Sequence, residues 1–315
     1  MDYRKSVLVF GATGEIGSRV VRGCVDAGCR VTGVSRGANS RHRVAVDGAE
    51  LINGDKGDRD FVARLAADHR FDVMIDTVPN KGHMQLAYEC FRGRIGKYFI
   101  CSSTGAYPPL RYLPADEEHP WREKTGLNFP GTVDKDIFAL DLWREHRFPV
   151  TIFRPTNIIG AGRVPIETWG SRNIAYFKRL KAGESVEIPG DGNTLLQSGL
   201  NDDLADAFVR GVGCGQETNG EIFVISSRRA ITLQRYFEVA CAVLDSRSTA
   251  EYLPPQEIVQ RRPEQVKEGN VRFLNEHMCF NIGKAERMLG YAPRASSEDG
   301  LAIALEWCMA EGLLD

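Results

Sequence analysis

The sequence has no run of apolar residues approaching the ~20 needed for a membrane-spanning helix, so no such helix is expected. It has no large excess of either charge. Lys and Arg number 40 against 42 Asp and Glu, a formal net charge of −2, which speaks against a broad attraction to nucleic acid or to anionic membrane. Its eight cysteines, at 24, 29, 90, 101, 214, 241, 279 and 308, form no CxxC pair. That argues against a zinc site or a disulfide framework, and no metal is expected. About six residues precede the first apolar strand, too few for a signal peptide, and the expected location is cytoplasmic. With no internal repeat or low-complexity linker, 315 residues suit one large domain or a large one with a smaller lobe.

What is present begins with Val7-Leu8-Val9-Phe10-Gly11-Ala12-Thr13-Gly14-Glu15-Ile16-Gly17. An apolar run ends at a glycine, two more glycines follow at three-residue intervals, and a helical pattern begins. The expected geometry is a buried strand, a tight turn at Gly11, close backbone approach to a ligand at Gly14, and helix–strand packing at Gly17. Unpaired N–H groups at such a helix start suit a pyrophosphate, so residues 11–17, with Thr13, Glu15 and Ile16 among them, are candidate dinucleotide contacts.

The first helix runs roughly from Glu15 to Ala27, and a second strand covers Arg30 to Val34. Its end carries Ser35-Arg36, with Arg41 and Arg43 close behind. No carboxylate stands there to repel a 2′-phosphate, and a guanidinium is available to pair with one, so the expected cofactor is NADP in preference to NAD. The alternative is a solvated basic loop. A third strand ends in Asn53-Gly54-Asp55-Lys56. Asp55 is either an acceptor for the adenine amino group or a turn cap, and Lys56 is counted with the cofactor residues. The strand Asp72–Asp76 leads into Thr77-Val78, also candidate cofactor contacts. A helix from Gly82 to Phe91 and a strand Lys97–Cys101 follow. This alternation implies an α/β fold, a doubly wound parallel Rossmann sheet with ligand at the carboxyl ends of its strands.

Just past the fifth strand lies Ser102-Ser103-Thr104-Gly105-Ala106-Tyr107. A later helix carries Asp134 and Lys135, and a sixth strand ends in Arg154-Pro155-Thr156-Asn157. Beyond Gly160 the pattern becomes irregular. Helices are expected from Trp169 to Leu180 and from Asp202 to Val212, then a strand at Glu221–Ile225. Residues 245–270 are expected to form a mobile loop, and a final helix follows from Ser297. Residues 1–160 are read as the NADP-binding domain, rejoined by about 196–228, and 161–315 mainly as a smaller substrate-binding lobe.

Essentially the whole chain resembles the extended short-chain dehydrogenase/reductases, the NAD(P)-dependent epimerase/dehydratase family. The likeness rests on Gly11 to Gly17, Gly54-Asp55, Ser102-Ser103 with Tyr107, Lys135, Arg154-Pro155-Thr156-Asn157-Ile158, Ile188-Pro189-Gly190-Asp191-Gly192, Asp202-Asp203-Leu204-Ala205 and Phe280-Asn281-Ile282-Gly283-Lys284. The later segments look most like the branch of chloroplast stem-loop-binding proteins, which has RNA-associated and sugar-acting members. The resemblance implies hydride transfer at a secondary alcohol or ketone of a sugar-like substrate. It places Ser103, with Thr104 as the alternative, in the hydroxyl role and Lys135 beside the nicotinamide ribose. Pro155 falls among the cofactor contacts, Tyr107, Asn157 and Gln197 among the substrate contacts, and a homodimer is common in relatives.

Two departures stand out. The family's Tyr-x-x-x-Lys pairs a tyrosine with the lysine on one helix face, and here Gly131 occupies the tyrosine position in Asn128-Phe129-Pro130-Gly131. Candidate substitutes as proton carrier are Thr132, Asp134, Tyr107, the substrate itself or water, with Asp134 otherwise a helix cap. The arginine that often pairs with a nucleotide diphosphate before Asp202-Asp203 is replaced by Leu196, leaving Arg163, Arg172 or Lys178 to compensate. A non-catalytic NADP-binding regulator or RNA-associated protein is the alternative reading.

Overall fold

The computed structural model describes residues 4–37, 44–122 and 131–315. Arg41 and Arg43 of the basic cluster, and Asn128 to Pro130 before Gly131, lie outside the described residues. Six parallel strands are laid down first: β1 (Ser6–Phe10), β2 (Arg30–Ser35), β3 (Glu50–Asn53), β4 (Val73–Asp76), β5 (Lys97–Cys101) and β6 (Val150–Pro155). The strand Ile222–Ile225 joins β6 as a seventh. The spatial order is β3-β2-β1-β4-β5-β6 and then Ile222–Ile225. The order reverses between β1 and β4, which is where ligands bind in such sheets.

Alternation along the strands builds two cores. Val7, Val9, Ile75, Phe99 and Phe153 face one side, where α1 (Glu15–Asp26) and α6 (Asn201–Gly213) pack. Leu8, Phe10, Met74, Ile100 and Ile152 face the other, under α2 (Arg59–Asp68), α3 (Lys81–Phe91) and α4 (Thr132–His146). Period-two alternation thus becomes a doubly covered sheet. Asp58 caps α2, accepting from the Asp60 and Phe61 amides, and Asn80 caps α3, as short polar side chains do at orphan helix N–H groups.

Apart from α6 and Ile222–Ile225, the residues beyond 160 lie outside the central sheet, and several of them, Arg163, Arg172 and Phe273 included, face the carboxyl ends of its strands. Here two expectations need correction. The helix expected from Trp169 begins only at Ile174 (α5, Ile174–Lys181), because Asn173 caps it; Trp169 is fully buried in the preceding loop. Residues 245–270 are not a mobile loop. Ala250–Leu253 pairs in parallel with Val186–Pro189, and helices Pro255–Arg261 and Glu268–Leu274 follow. Proline at the first helical turn favours the start of the former. Buried Ile258, Val266, Val271 and Leu274 hold the segment to the core. α7 (Leu233–Val243), capped by Thr232, packs with the last helix, Ser297–Ala310, which carries a capping box between Ser296 and Asp299. Among the described residues no helix is long and apolar enough to cross a membrane.

Candidate functional site

The cradle comes directly from β1 and α1. The Gly11 amide donates to Val34 O (3.0 Å), turning the chain off β1, and Gly14 is the N-cap of α1 with no side chain supplying a cap. The first N–H groups of α1 are therefore not satisfied by a capping side chain, the condition under which an anion binds. A Cβ on Gly17 would lie 2.0 Å from Gly11 O and 2.7 Å from its carbonyl carbon, so only glycine lets the first helical turn press on the loop. The residues present fit a dinucleotide's diphosphate.

Gly14, Glu15, Ile16 and Gly17 line one wall of a cleft of about 620 Å³. The same cleft reaches Thr77 and Val78 after β4, Ser103 and Thr104 after β5, and Pro155 and Asn157 at β6. Four strand ends from distant parts of the sequence thus open onto one space. Gly11 and Thr13 are not among the residues that line the cleft. The adenosine side is more scattered. Arg36 is exposed at the end of β2 and has no charged partner among the described residues, while Ser35 Oγ accepts from the Gly37 amide (3.4 Å). Asp55 Oδ1 accepts from Gly57 N (2.8 Å), so one carboxylate oxygen already closes a local turn. Lys56 Nζ reaches Asp76 Oδ1 at 2.5 Å and Val78 O at 2.6 Å. Its role in the structure is to tie β3's end to the loop carrying Thr77 and Val78. Asp76 gave no signal beyond an apolar strand's last residue, yet it is buried and holds this latch.

At the other end of the cleft, Ser103 Oγ accepts from Gly105 N (3.0 Å), which leaves its own O–H available to donate. Thr104 Oγ1 is buried and donates to Pro155 O (3.3 Å), so its proton is committed. Lys135 Nζ donates to Cys101 O (3.3 Å) from α4, and Cys101 itself lines the cleft. Gly131 is the N-cap of α4, with φ +89° and open space where a Cβ would stand. A tyrosine there would have to adopt a left-handed backbone that L side chains disfavour. Asp134 sits in the first turn, near the helix's positive end, three residues after the N-cap Gly131.

Three further side chains meet beneath this region. Asp136, next to Lys135, accepts from both Ser102 Oγ (2.6 and 2.7 Å) and Arg154 Nε (2.9 Å). Asp136 and Arg154 are fully buried. The guanidinium is sandwiched between the Trp121 ring (4.1 Å) and the Tyr107 ring (4.6 Å). This strut joins α4 to the ends of β5 and β6. Asp136 and Arg154 were not singled out as site residues from the sequence, because a pair 18 positions apart has no periodic signature.

Two expected substrate contacts are corrected. Tyr107 is a core residue, 1% exposed, packed on Arg154, His119 and Phe280; burial pushes its hydroxyl pKa up to about 12. It does not line the cleft. Gln197 is fully buried, donating to Ser227 O (2.6 Å) and Phe280 O (3.2 Å) and accepting from Phe280 N (2.6 Å). Its amide staples the segment before α6 to the chain around Phe280, and its hydrogen bonds are spent there. Asn157 does line the cleft, but Nδ2 donates to Ser198 Oγ and Oδ1 accepts from Arg172. Of the three basic residues suggested for the lost arginine, Arg163 and Arg172 line the cleft, and Lys178 instead bonds the C-terminal Asp315. Arg172 also donates to Val164 O and Ile158 O, and burial, with help from Arg163, lowers its pKa to about 10.

Strand order and cradle together define the class: an extended short-chain dehydrogenase/reductase built on a dinucleotide-binding Rossmann sheet. The family model of the NAD dependent epimerase/dehydratase family matches residues 7–226, and the chain belongs to that family. It is 28% identical over 314 residues to the chloroplast stem-loop binding protein of 41 kDa b from Arabidopsis thaliana, covering 94% of this chain and 77% of the relative. Among solved structures, UDP-glucose 4-epimerase with UDP-glucose from Thermotoga maritima superposes with a TM-score of 0.75 at 21% identity, over 98% of this chain and 99% of that one. UDP-glucuronic acid 4-epimerase from Bacillus cereus, in complex with UDP-glucuronic acid and NAD, gives 0.76 at 17% identity, over 97% and 99%.

Proposed function

We propose that this chain is an NAD(P)-dependent enzyme of the epimerase, dehydratase or reductase type, using NADP in preference to NAD and acting on a secondary alcohol or ketone of a sugar-like small molecule. The observation that carries the reading is a single cleft running from the glycine cradle at the start of α1 to Ser103 at the end of β5. A bound nicotinamide supplies reversible hydride exchange, and the chain's own residues do the rest. The α1 amides bind the diphosphate, and exposed Arg36 pairs with a 2′-phosphate. Ser103 donates its free proton to the substrate oxygen, and Lys135 holds a positive charge behind Cys101. With no tyrosine at position 131, Asp134 is the proposed proton carrier. Its relatives that act on nucleotide sugars motivate the substrate class.

Titration of the protein with NADPH and NADH, followed by nicotinamide fluorescence, tests the cofactor assignment; tighter NADPH binding that is lost in Arg36→Ala is expected, and equal affinities refute the preference. Incubation of the NADP-loaded protein with nucleotide-linked and free sugars then tests turnover. Lys135→Ala should abolish it, and Asp134→Asn should cut it with cofactor affinity intact. A non-catalytic NADP-responsive or RNA-associated protein is the second reading, favoured by the left-handed glycine at position 131. Tight cofactor binding without turnover on any sugar would decide for it.

A further inference from the structure

Glu15 is the first residue of α1 and lines the cleft beside the diphosphate cradle. A carboxylate there opposes the binding of a doubly charged diphosphate, so something must offset it. We propose that Arg163 is an electrostatic clamp: paired with Glu15 in the free protein, it turns to the diphosphate of the bound dinucleotide. The inference rests on the dinucleotide reading above and goes beyond it, because nothing in the glycine cradle calls for a cation from the second half of the chain.

The geometry supplies the parts. Arg163 Nη1 stands 3.4 Å from Glu15 Oε2, a long and weak ion pair. Its side chain is 47% exposed, so it is free to swing. The loop bearing it is not free. Arg19 Nη2, on α1, donates to Ala161 O at 2.7 Å, and Asn201 Nδ2, at the start of α6, donates to the same oxygen at 2.8 Å. The backbone two residues before Arg163 is therefore pinned to the nucleotide-binding helix while the guanidinium is exposed to solvent. Asn201 Nδ2 also approaches Glu15 Oε1 at 3.3 Å, so the carboxylate keeps a partner when Arg163 leaves. Arg172, held by three backbone and side-chain oxygens, faces the same cleft, and its charge opposes that of Arg163. Two guanidinium groups against one carboxylate leave this end of the cleft positive and ready for an anion. A guanidinium answers a diphosphate with two parallel N–H donors, which a single long contact to Glu15 does not use.

The test is a double-mutant cycle on the full chain, read as NADPH binding by fluorescence at low salt, with thermal unfolding recorded for each variant. Arg163→Gln is expected to weaken binding about tenfold, since it removes the clamp and leaves Glu15 uncompensated. Glu15→Gln should bind as tightly as the parent or tighter, and Glu15→Gln with Arg163→Gln should recover most of the loss. The loss should shrink at high salt. If the parent binds NADPH and Arg163→Gln binds it equally well, the clamp is refuted while the dinucleotide reading stands. If Arg163→Gln spares NADPH but weakens UDP binding to the NADP-loaded protein, Arg163 serves the substrate and the proposal is likewise overturned. If the parent binds neither NADPH nor NADH, the failure belongs to the dinucleotide reading itself.

Discussion

Asp136→Asn keeps the shape of a fully buried side chain and removes its charge. In the parent, that charge lies 2.9 Å from Arg154 Nε, and both partners are shielded completely from solvent. Breaking a buried pair from one side costs about 3–5 kcal/mol, because the remaining ion stays desolvated without its partner. The two rings at 4.1 and 4.6 Å keep hold of the guanidinium and offset part of this, since a desolvated cation–π contact is worth about 2 kcal/mol. An amide also returns one acceptor to Arg154, while its NH₂ group replaces an oxygen that accepts from Ser102. The net loss should be about 2 kcal/mol. Urea unfolding at pH 7, followed by both fluorescence and circular dichroism, measures it, with coincidence of the two curves checking for a single transition. Asp136→Leu with Arg154→Met removes both charges and should be clearly more stable than Asp136→Asn alone. A loss below about 1 kcal/mol, or a double variant no better than the single one, would refute the view that an uncompensated guanidinium is the source of the cost.

Other outcomes follow from the same structure. Gly17→Ala forces a Cβ to within 2.0 Å of Gly11 O, so it should cost at least 1–3 kcal/mol and abolish NADPH binding; a variant that binds normally would show that the cradle yields. Lys56→Met takes the cation from buried Asp76 and leaves the Thr77–Val78 loop held only by Val78 N to Asp76 and by Thr77 to Phe10 O, so dinucleotide affinity should fall and hydrogen exchange in that loop should rise; unchanged exchange would deny the latch. Burial raises the carboxyl of Glu167 from 4.5 to about 8, although the Trp169 and Ser171 amides donate to it. The folded chain therefore holds this proton more tightly than the unfolded chain. The stabilisation it brings is complete below pH 4.5 and is lost as pH rises towards 8. Glu167→Gln should flatten the decline in stability between pH 5 and 8, and an unchanged slope would refute the assignment.

Much of this was legible in the sequence because the information is local. The glycines at 11, 14 and 17 act within one turn, and Val7 to Phe10 alternate between the two faces of one strand. Asp58 and Thr232 cap the helices that begin beside them. The parallel sheet follows from such elements repeating along the chain. The family likeness carried the expectation that Ser103 and Lys135 lie near one another, and their separation in sequence made that expectation depend on likeness, not on spacing.

What the sequence could not determine was which polar side chains are spent inside the fold. Tyr107 and Gln197 look like ligand contacts in a motif, yet one packs on a buried guanidinium and the other staples two backbone segments. The hydrogen-bond partners of Gln197 lie up to 83 positions away and Tyr107 packs on the still more distant Phe280, and no local pattern encodes them. For the same reason the roles of Asp76, Asp136 and Arg154 emerged only in three dimensions, as did the meeting of Arg163 with Glu15 across 148 positions. Local sequence determined the strand, the turn and the helix that make the cradle. Tertiary structure alone decided which charges surround it, because electrostatic partners are set by distance in space and by the exclusion of water.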